Sequence, residues 1–285
     1  MAAGIDLIQH GTTSSAEVIQ DTAIAQPLLV ATALISYDAW RQANPEARIK
    51  AVAGHSVGEF AAAAVAGVFS QTDAVGLVAV RGRAMAACAK TEPTGMAAVI
   101  GGQADQVLEA IEQAGAQVAN FNGPAQVVAG GSIQALDRLA ATPPARARVI
   151  RLDVAGAFHT SYMEPAKAEL AAAIARLDLQ DATYPLITNG DGTAQTAAAG
   201  IGQVLVDQVT RPVRWDLVQQ TILALGPTRT LELAPAGVLA GLAKRGMKGV
   251  KVTGLAASDF VPPQPQPPAT SRAANSPTST TAETL

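Results

Sequence analysis

Cysteine, histidine, charged and aromatic residues are all scarce in this 285-residue chain, and each scarcity excludes something. The single Cys88 rules out an internal disulfide, and with only three histidines there is little material for a metal site. Charged residues make up 15% of the chain and the net charge is -3, so the basic footprint that nucleic-acid binding requires is missing. The longest apolar runs, such as Pro27 to Ser36 and Phe60 to Phe69, stop well short of the ~20 residues of a membrane span. No charged n-region followed by an apolar h-region opens the chain, so the expected location is cytoplasmic, with no membrane attachment.

What is abundant is apolar: hydrophobic residues reach 49%, enough for one large domain or two modest ones with a sizeable core. The stretch around which the rest is organised is Ala51 to Phe60, AVAGHSVGEF. An apolar run from Ile49 to Ala53 leads into Gly54-His55-Ser56-Val57-Gly58, and an alanine-rich helical pattern starts at Glu59. This is the strand, tight turn and helix of a nucleophile elbow, with Gly54 and Gly58 leaving room around a strained serine. Such a turn lifts the Ser56 hydroxyl above the sheet and aims the Val57 amide at a developing oxyanion.

Before the elbow, Met1 to Ser15 reads as loop, and Thr22 as the N-cap of a helix running toward Trp40. After it, Ser70-Gln71-Thr72-Asp73 has the form of a capping box. Ala74, Leu77, Val78, Arg81, Met85 and Cys88 then share one helix face, so Arg81 interrupts an apolar stripe while Arg83 points away. A buried arginine needs an anionic partner or a pocket of solvent. From Thr94 to Asp153 the pattern becomes β-α-β-β-α-β, the order of a ferredoxin-like unit, with Asn120 and Asn122 at its hairpin. Helices then alternate with short strands at Leu186 to Thr188, Thr230 to Leu233 and Val250 to Leu255, which argues for a mostly parallel, doubly wound sheet. The expected division is an α/β core from 1–93 and 154–258, a ferredoxin-like subdomain over 94–153 and a disordered Pro/Ser/Thr-rich tail over 259–285.

A serine needs a base. His55 leaves the elbow on the opposite side and His10 lies near the start, so His159 is the best candidate. Asp153 and Asp105 qualify as a third member by order alone, yet both fall in the inserted unit, so a Ser-His dyad is expected. On residues alone an esterase or thioesterase shares the elbow and remains open.

GHSVGE at Gly54 to Glu59, the placement of Arg81, NFNGPAQVVAGG at Asn120 to Gly131, GAFH at Gly156 to His159 and RPVRW at Arg211 to Trp215 together resemble the malonyl-CoA:acyl carrier protein transacylases. These belong to the acyltransferase family of fatty acid and polyketide synthesis, and the motifs run in the family's order over almost all of Gln20 to Ala256. The resemblance implies an α/β-hydrolase-like parallel-sheet core with the ferredoxin-like insert. It implies ping-pong transfer of malonyl from malonyl-CoA through Ser56 to the phosphopantetheine thiol of acyl carrier protein, by a monomer with no cofactor and no metal. It also implies that the main-chain carbonyl of Gln208 orients His159, that Arg81 pairs with the malonyl carboxylate, and that Phe158 disfavours a methyl branch on the substrate. Asn120 and Asn122 would line the cleft.

Family members open with a strand and a Gly-Gln-Gly-Ser-Gln type loop supplying a second oxyanion amide, and nothing of that form precedes Gly11. Losing such a donor is expected to cost ~10²–10³ in rate and to bare a sheet edge. An inactive carrier-protein-binding relic is therefore a further reading, with Lys244, Arg245, Lys248 and Lys251 as its attraction for an acidic carrier.

Overall fold

The computed structural model describes residues 4–256 and Asp259; the tail expected beyond that point lies outside the described residues. The first segment differs from the loop expected there. It forms α1 (Leu7–Thr12) and α2 (Ala16–Ile19), because the side chains of Asp6 and Ser15 each accept a hydrogen bond from a free first-turn N–H. Asp21 rather than Thr22 then caps α3 (Thr22–Ala43), which ends before Pro45.

β1 (Val52–Ala53) leads into α4 (Gly58–Val65), and Ser70 caps α5 (Gln71–Ala89) through the Asp73 N–H. α3 and α5 pack closely because Gly82 lacks a side chain. A Cβ there would lie 2.8 Å from the Thr22 carbonyl oxygen and 3.1 Å from Ala23 Cα. That approach matters for the site, since it brings the first turns of α3 against the middle of α5.

The inserted unit follows the expected order: β2 (Thr94–Gly101), α6 (Ala104–Gln113), β3 (Gln117–Gly123), β4 (Gln126–Ser132), α7 (Ile133–Ala141) and β5 (Ala147–Leu152). Its four strands form an antiparallel sheet in the spatial order β3-β4-β2-β5. Strand period explains how one sheet serves two purposes. Ala97 and Val99 turn toward Ile111, Leu136 and Leu139 of the two helices, whereas Met96 and Ala98 join Val128 in packing against Phe158. The edge strand β3 is tied to the core by two backbone bonds, Phe121 N–H to the Val213 carbonyl at 2.8 Å and Val213 N–H to the Ala119 carbonyl at 2.9 Å.

After the insert come a short 3-10 turn (Ser161–Met163), α8 (Ala166–Ile174), β6 (Leu186–Ile187), β7 (Ala194–Gln195) and α9 (Ala198–Asp207). They are followed by α10 (Trp215–Ala224), β8 (Arg229–Glu232), α11 (Val238–Gly246) and β9 (Lys251–Gly254). α8 starts directly after Pro165, which serves as its cap, where its missing N–H does no harm. β7 escapes sequence reading because Ala194–Gln195 sits in no apolar run, unlike the equally short β1 and β6.

The parallel pairing expected for the core is present in two pieces. β1 pairs with β6, which also takes β7 antiparallel, and β8 pairs with β9 in a separate parallel sheet. Among the described residues β1 has a strand partner on one edge only. The larger core lies between the helices, where Leu34, Phe60, Leu77, Met85, Leu170 and Leu205 are fully buried.

Leu136 is completely enclosed between α7 and the insert's sheet. Leu136→Ala should cost about 2–5 kcal/mol through the cavity it leaves. Urea unfolding checks this; a loss below about 0.5 kcal/mol would mean that the subdomain core is not packed as described.

Candidate active site

The elbow turn is made by backbone strain that its neighbours hold in place. Ser56 has φ of 51°, a left-handed conformation that serine rarely adopts. Asn189, just past the carboxyl end of β6, holds it from two sides: its Oδ1 accepts the Ser56 N–H at 2.7 Å, and its Nδ2 donates to the Gly54 carbonyl at 2.7 Å. The two glycines are not equivalent. A Cβ on Gly54 would overlap the Gly58 carbonyl, whereas one on Gly58 would meet nothing within 4 Å. The turn therefore depends on the bareness of Gly54.

Ser56 Oγ lies 2.6 Å from His159 Nε2, and His159 Nδ1 lies 2.7 Å from the main-chain oxygen of Gln208. A carbonyl only accepts, so Nδ1 carries the proton and Nε2 is left with a lone pair facing the serine. His159 is 3% exposed and also sits at positive φ, 60°. Burial first, and then the charge of Arg81, lower its pKa to about 3. The ring is a neutral base throughout the physiological range.

Arg81 is 1% exposed. Its Nη1 donates to Gln26 Oε1 at 2.6 Å, and its Nη2 donates to Gln208 Oε1 at 2.8 Å and to Ser56 Oγ at 3.2 Å. Nε is buried with no partner among the described residues. Burial lowers the pKa to about 10, with Glu59 working in the opposite sense, so the guanidinium remains charged at neutral pH. A cation against the serine oxygen favours its deprotonated form.

Beneath this lies Glu59, wholly buried at the start of α4. One oxygen accepts the Asn189 N–H at 2.8 Å and the other accepts from Gln208 Nε2. Burial raises the carboxyl to about 8 against the pull of those donors and of Arg81.

Ser56, His159, Arg81 and Gln208, expected from sequence, thus meet at one point. The Val57 N–H, at the N-cap of α4, makes no hydrogen bond among the described residues and is open to an oxyanion. Phe158 precedes the base and packs between the helical core and the Met96 and Ala98 side of the insert. Asn120 is buried in β3 where that strand bridges to Val213. Asn122 is more than a turn residue: its Oδ1 lies 2.9 Å from His55 Nε2, and the His55 ring rests 5.4 Å from that of Trp215. His55 accordingly faces the insert and not Ser56, as its place beside the elbow serine implies.

Gln26, Glu59 and Asn189 are the members that sequence reading missed. Glu59 carried a signal, a lone carboxylate opening an alanine-rich apolar helix. Asn189 carried a weaker one, an amide at the end of a core strand. Gln26 carried none.

A strained serine on an elbow, a neutral histidine at hydrogen-bond distance and a guanidinium beside both define a machine for acyl transfer through serine. The acyl transferase domain model matches residues 3–270, and the chain belongs to that family. Within it, the chain is 49% identical over 250 residues to the malonyl CoA-acyl carrier protein transacylase of Mycobacterium tuberculosis strain H37Rv, covering 87% of this chain and 83% of that protein. The crystal structure of MCAT from Mycobacterium tuberculosis superposes with a TM-score of 0.88 at 47% identity, over 91% of this chain and 86% of that one. A solved complex of a type II PKS acyl-carrier protein with its malonyl-transacylase has a TM-score of 0.82 at 28% identity, over 89% and 84% of the two chains.

Because burial, and after it the charge of Arg81, keep His159 neutral to about pH 3 against the pull of the Gln208 carbonyl, its ring proton resonances should not titrate between pH 8 and pH 5. Histidine NMR on the folded protein tests this. A midpoint near 6.5, the ordinary histidine value, would mean a ring open to water.

Proposed function

We propose that this chain moves malonyl from malonyl-CoA to the phosphopantetheine thiol of acyl carrier protein, by way of a malonyl ester on Ser56. His159 Nε2 takes the serine proton as Oγ attacks the thioester carbon. The Val57 N–H meets the negative oxygen of the tetrahedral intermediate, the C–S bond breaks, and the CoA sulfur leaves with the proton held by His159. In the second half the carrier thiol gives its proton to His159 and attacks the ester, and Ser56 recovers its own. The Gln208 carbonyl keeps the imidazole in the required tautomer through both halves.

The observation that carries this reading is the Arg81 guanidinium in hydrogen-bond contact with Ser56 Oγ. A fixed cation next to the acylated atom suits an acyl group ending in a carboxylate, and the unpartnered buried Nε–H adds a donor that such a group would satisfy. An esterase acting on neutral acyl groups has no carboxylate for this buried charge to meet, so it would gain only the weaker effect on the serine proton. Phe158 beside the base narrows the space for a methyl branch.

The names of the relatives support malonyl-CoA and acyl carrier protein as substrates, with extender units for fatty acid synthesis as the product. No resident cofactor or metal has a task in these steps, since serine, histidine and backbone supply every proton and bond. We place the enzyme in the cytoplasm as a monomer; among the described residues no helix is long and apolar enough to cross a membrane. Residues 1–93 and 154–258 would form the catalytic core and 94–153 the subdomain carrying Asn120 and Asn122 beside the cleft.

Intact-protein mass spectrometry after brief mixing with malonyl-CoA or acetyl-CoA tests the reading. Wild type should gain a malonyl adduct and Ser56→Ala none. Arg81→Ala should lose about 10²–10³-fold in malonyl acylation rate while its acetyl rate, which loses only the effect on the serine proton, falls far less. Equal losses for both acyl groups would remove Arg81 from carboxylate recognition.

A further inference from the structure

We propose that Glu59 is a positioning residue that sets which end of the Gln208 amide faces Arg81, and so governs both the alignment of the dyad and the preference for a carboxylated acyl group. This inference rests on the transacylase reading above and names a determinant of its selectivity.

Glu59 lies where two tethers meet. Asn189 fixes the elbow through Ser56 N–H and the Gly54 carbonyl, and Gln208 fixes the base through its own carbonyl on His159 Nδ1. Glu59 accepts a hydrogen bond from each, the Asn189 main-chain N–H at one oxygen and the Gln208 side-chain amide at the other. The elbow comes from β1 and α4, Asn189 follows β6, and Gln208 ends α9, so one carboxyl joins three elements that are far apart in the chain.

The chemistry of the two contacts requires a carboxyl. Both groups facing Glu59 are N–H donors; an ionised carboxylate accepts from both, and a protonated one keeps an acceptor lone pair for each only with its O–H turned away from them. An amide of the same shape offers one acceptor and one donor, so it must set N–H against N–H on one side. Gln208 has no freedom to absorb the change. Its Nε2 also donates to the Ser56 carbonyl at 3.2 Å, and its Oε1 takes the Arg81 Nη2 proton at 2.8 Å. Turning that amide over would point N–H groups at the guanidinium and an oxygen at the Ser56 carbonyl. Arg81 would then lose one of its two amide acceptors, leaving Gln26 and the longer contact with Ser56 Oγ to hold it.

Glu59 thus reaches Arg81 without touching it. The gap is bridged by an amide whose polarity Glu59 dictates, and that amide belongs to the residue whose carbonyl orients the base. Substrate selection and base alignment therefore share a support that lies wholly out of contact with the substrate.

The test is acylation and turnover of the full chain with malonyl-CoA and acetyl-CoA, normalised to the sites that accept label. Glu59→Gln should lower malonyl kcat by ~10–100-fold and cut the malonyl-over-acetyl preference by about tenfold. A purely structural role would reduce the number of folded molecules and leave the preference of the remainder intact. Preference and kcat per site within about twofold of wild type would overturn the inference. If Glu59→Gln does not fold, Gln208→Met removes the oriented amide while keeping the main-chain carbonyl, and it must show the same loss of preference; an unchanged preference overturns the inference equally. Absence of a malonyl adduct on wild type would bring down the transacylase reading together with this one, whereas a normal wild-type adduct with an indifferent Glu59→Gln brings down this one alone.

Discussion

The geometry of the site depends on one strained turn. Ser56 is held in a left-handed conformation whose cost of about 1–3 kcal/mol must be met by its surroundings. Two features meet it: the missing side chain at Gly54, without which the Gly58 carbonyl could not close over the turn, and the double grip of Asn189. What the strain secures is a half-buried hydroxyl beside the N-cap N–H of α4. The Ser56 hydroxyl and the unbonded Val57 N–H are placed by the same few backbone atoms, which is the reason for the motif's compactness.

Burial shapes the chemistry as much as distance does. In water a histidine near a carbonyl would titrate near neutrality, and an arginine near a serine would be masked by solvent. Here His159 and Arg81 are both enclosed. Burial first, and then the nearby cation, hold the imidazole neutral without a third acidic residue, and a main-chain carbonyl fixes its tautomer.

The insert contributes through contact with the core. One face of its sheet builds its own small core with α6 and α7, and the other packs on Phe158, the residue before the base. Two further ties run from β3, the backbone pairing with Val213 and the bond between Asn122 and His55. His55 is next to Ser56 in sequence yet faces the insert, so the elbow turn sends one side chain to the reaction and its neighbour to the subdomain. The position of the insert is thereby coupled to the position of the nucleophile.

Local patterns in the sequence determined the elbow, the helix that carries Arg81 on its buried face, and the order of the insert, because each depends on periodicity or turn chemistry within about twenty residues. They also marked Ser56, His159 and Arg81 as the residues to watch, and the family resemblance supplied the Gln208 carbonyl. The short helices α1 and α2 were hidden because their caps act on segments of only six and four residues. Tertiary structure alone decided that the core's parallel pairing divides into two sheets, that Asn122 holds His55, and that Glu59, Asn189 and Gln26 complete the site. Their hydrogen bonds span 130 residues from Glu59 to Asn189 and 55 from Gln26 to Arg81, and no local pattern encodes a partner at that separation. A buried carboxyl or amide is legible in sequence as an oddity, and only the folded chain shows which donor it was placed there to meet.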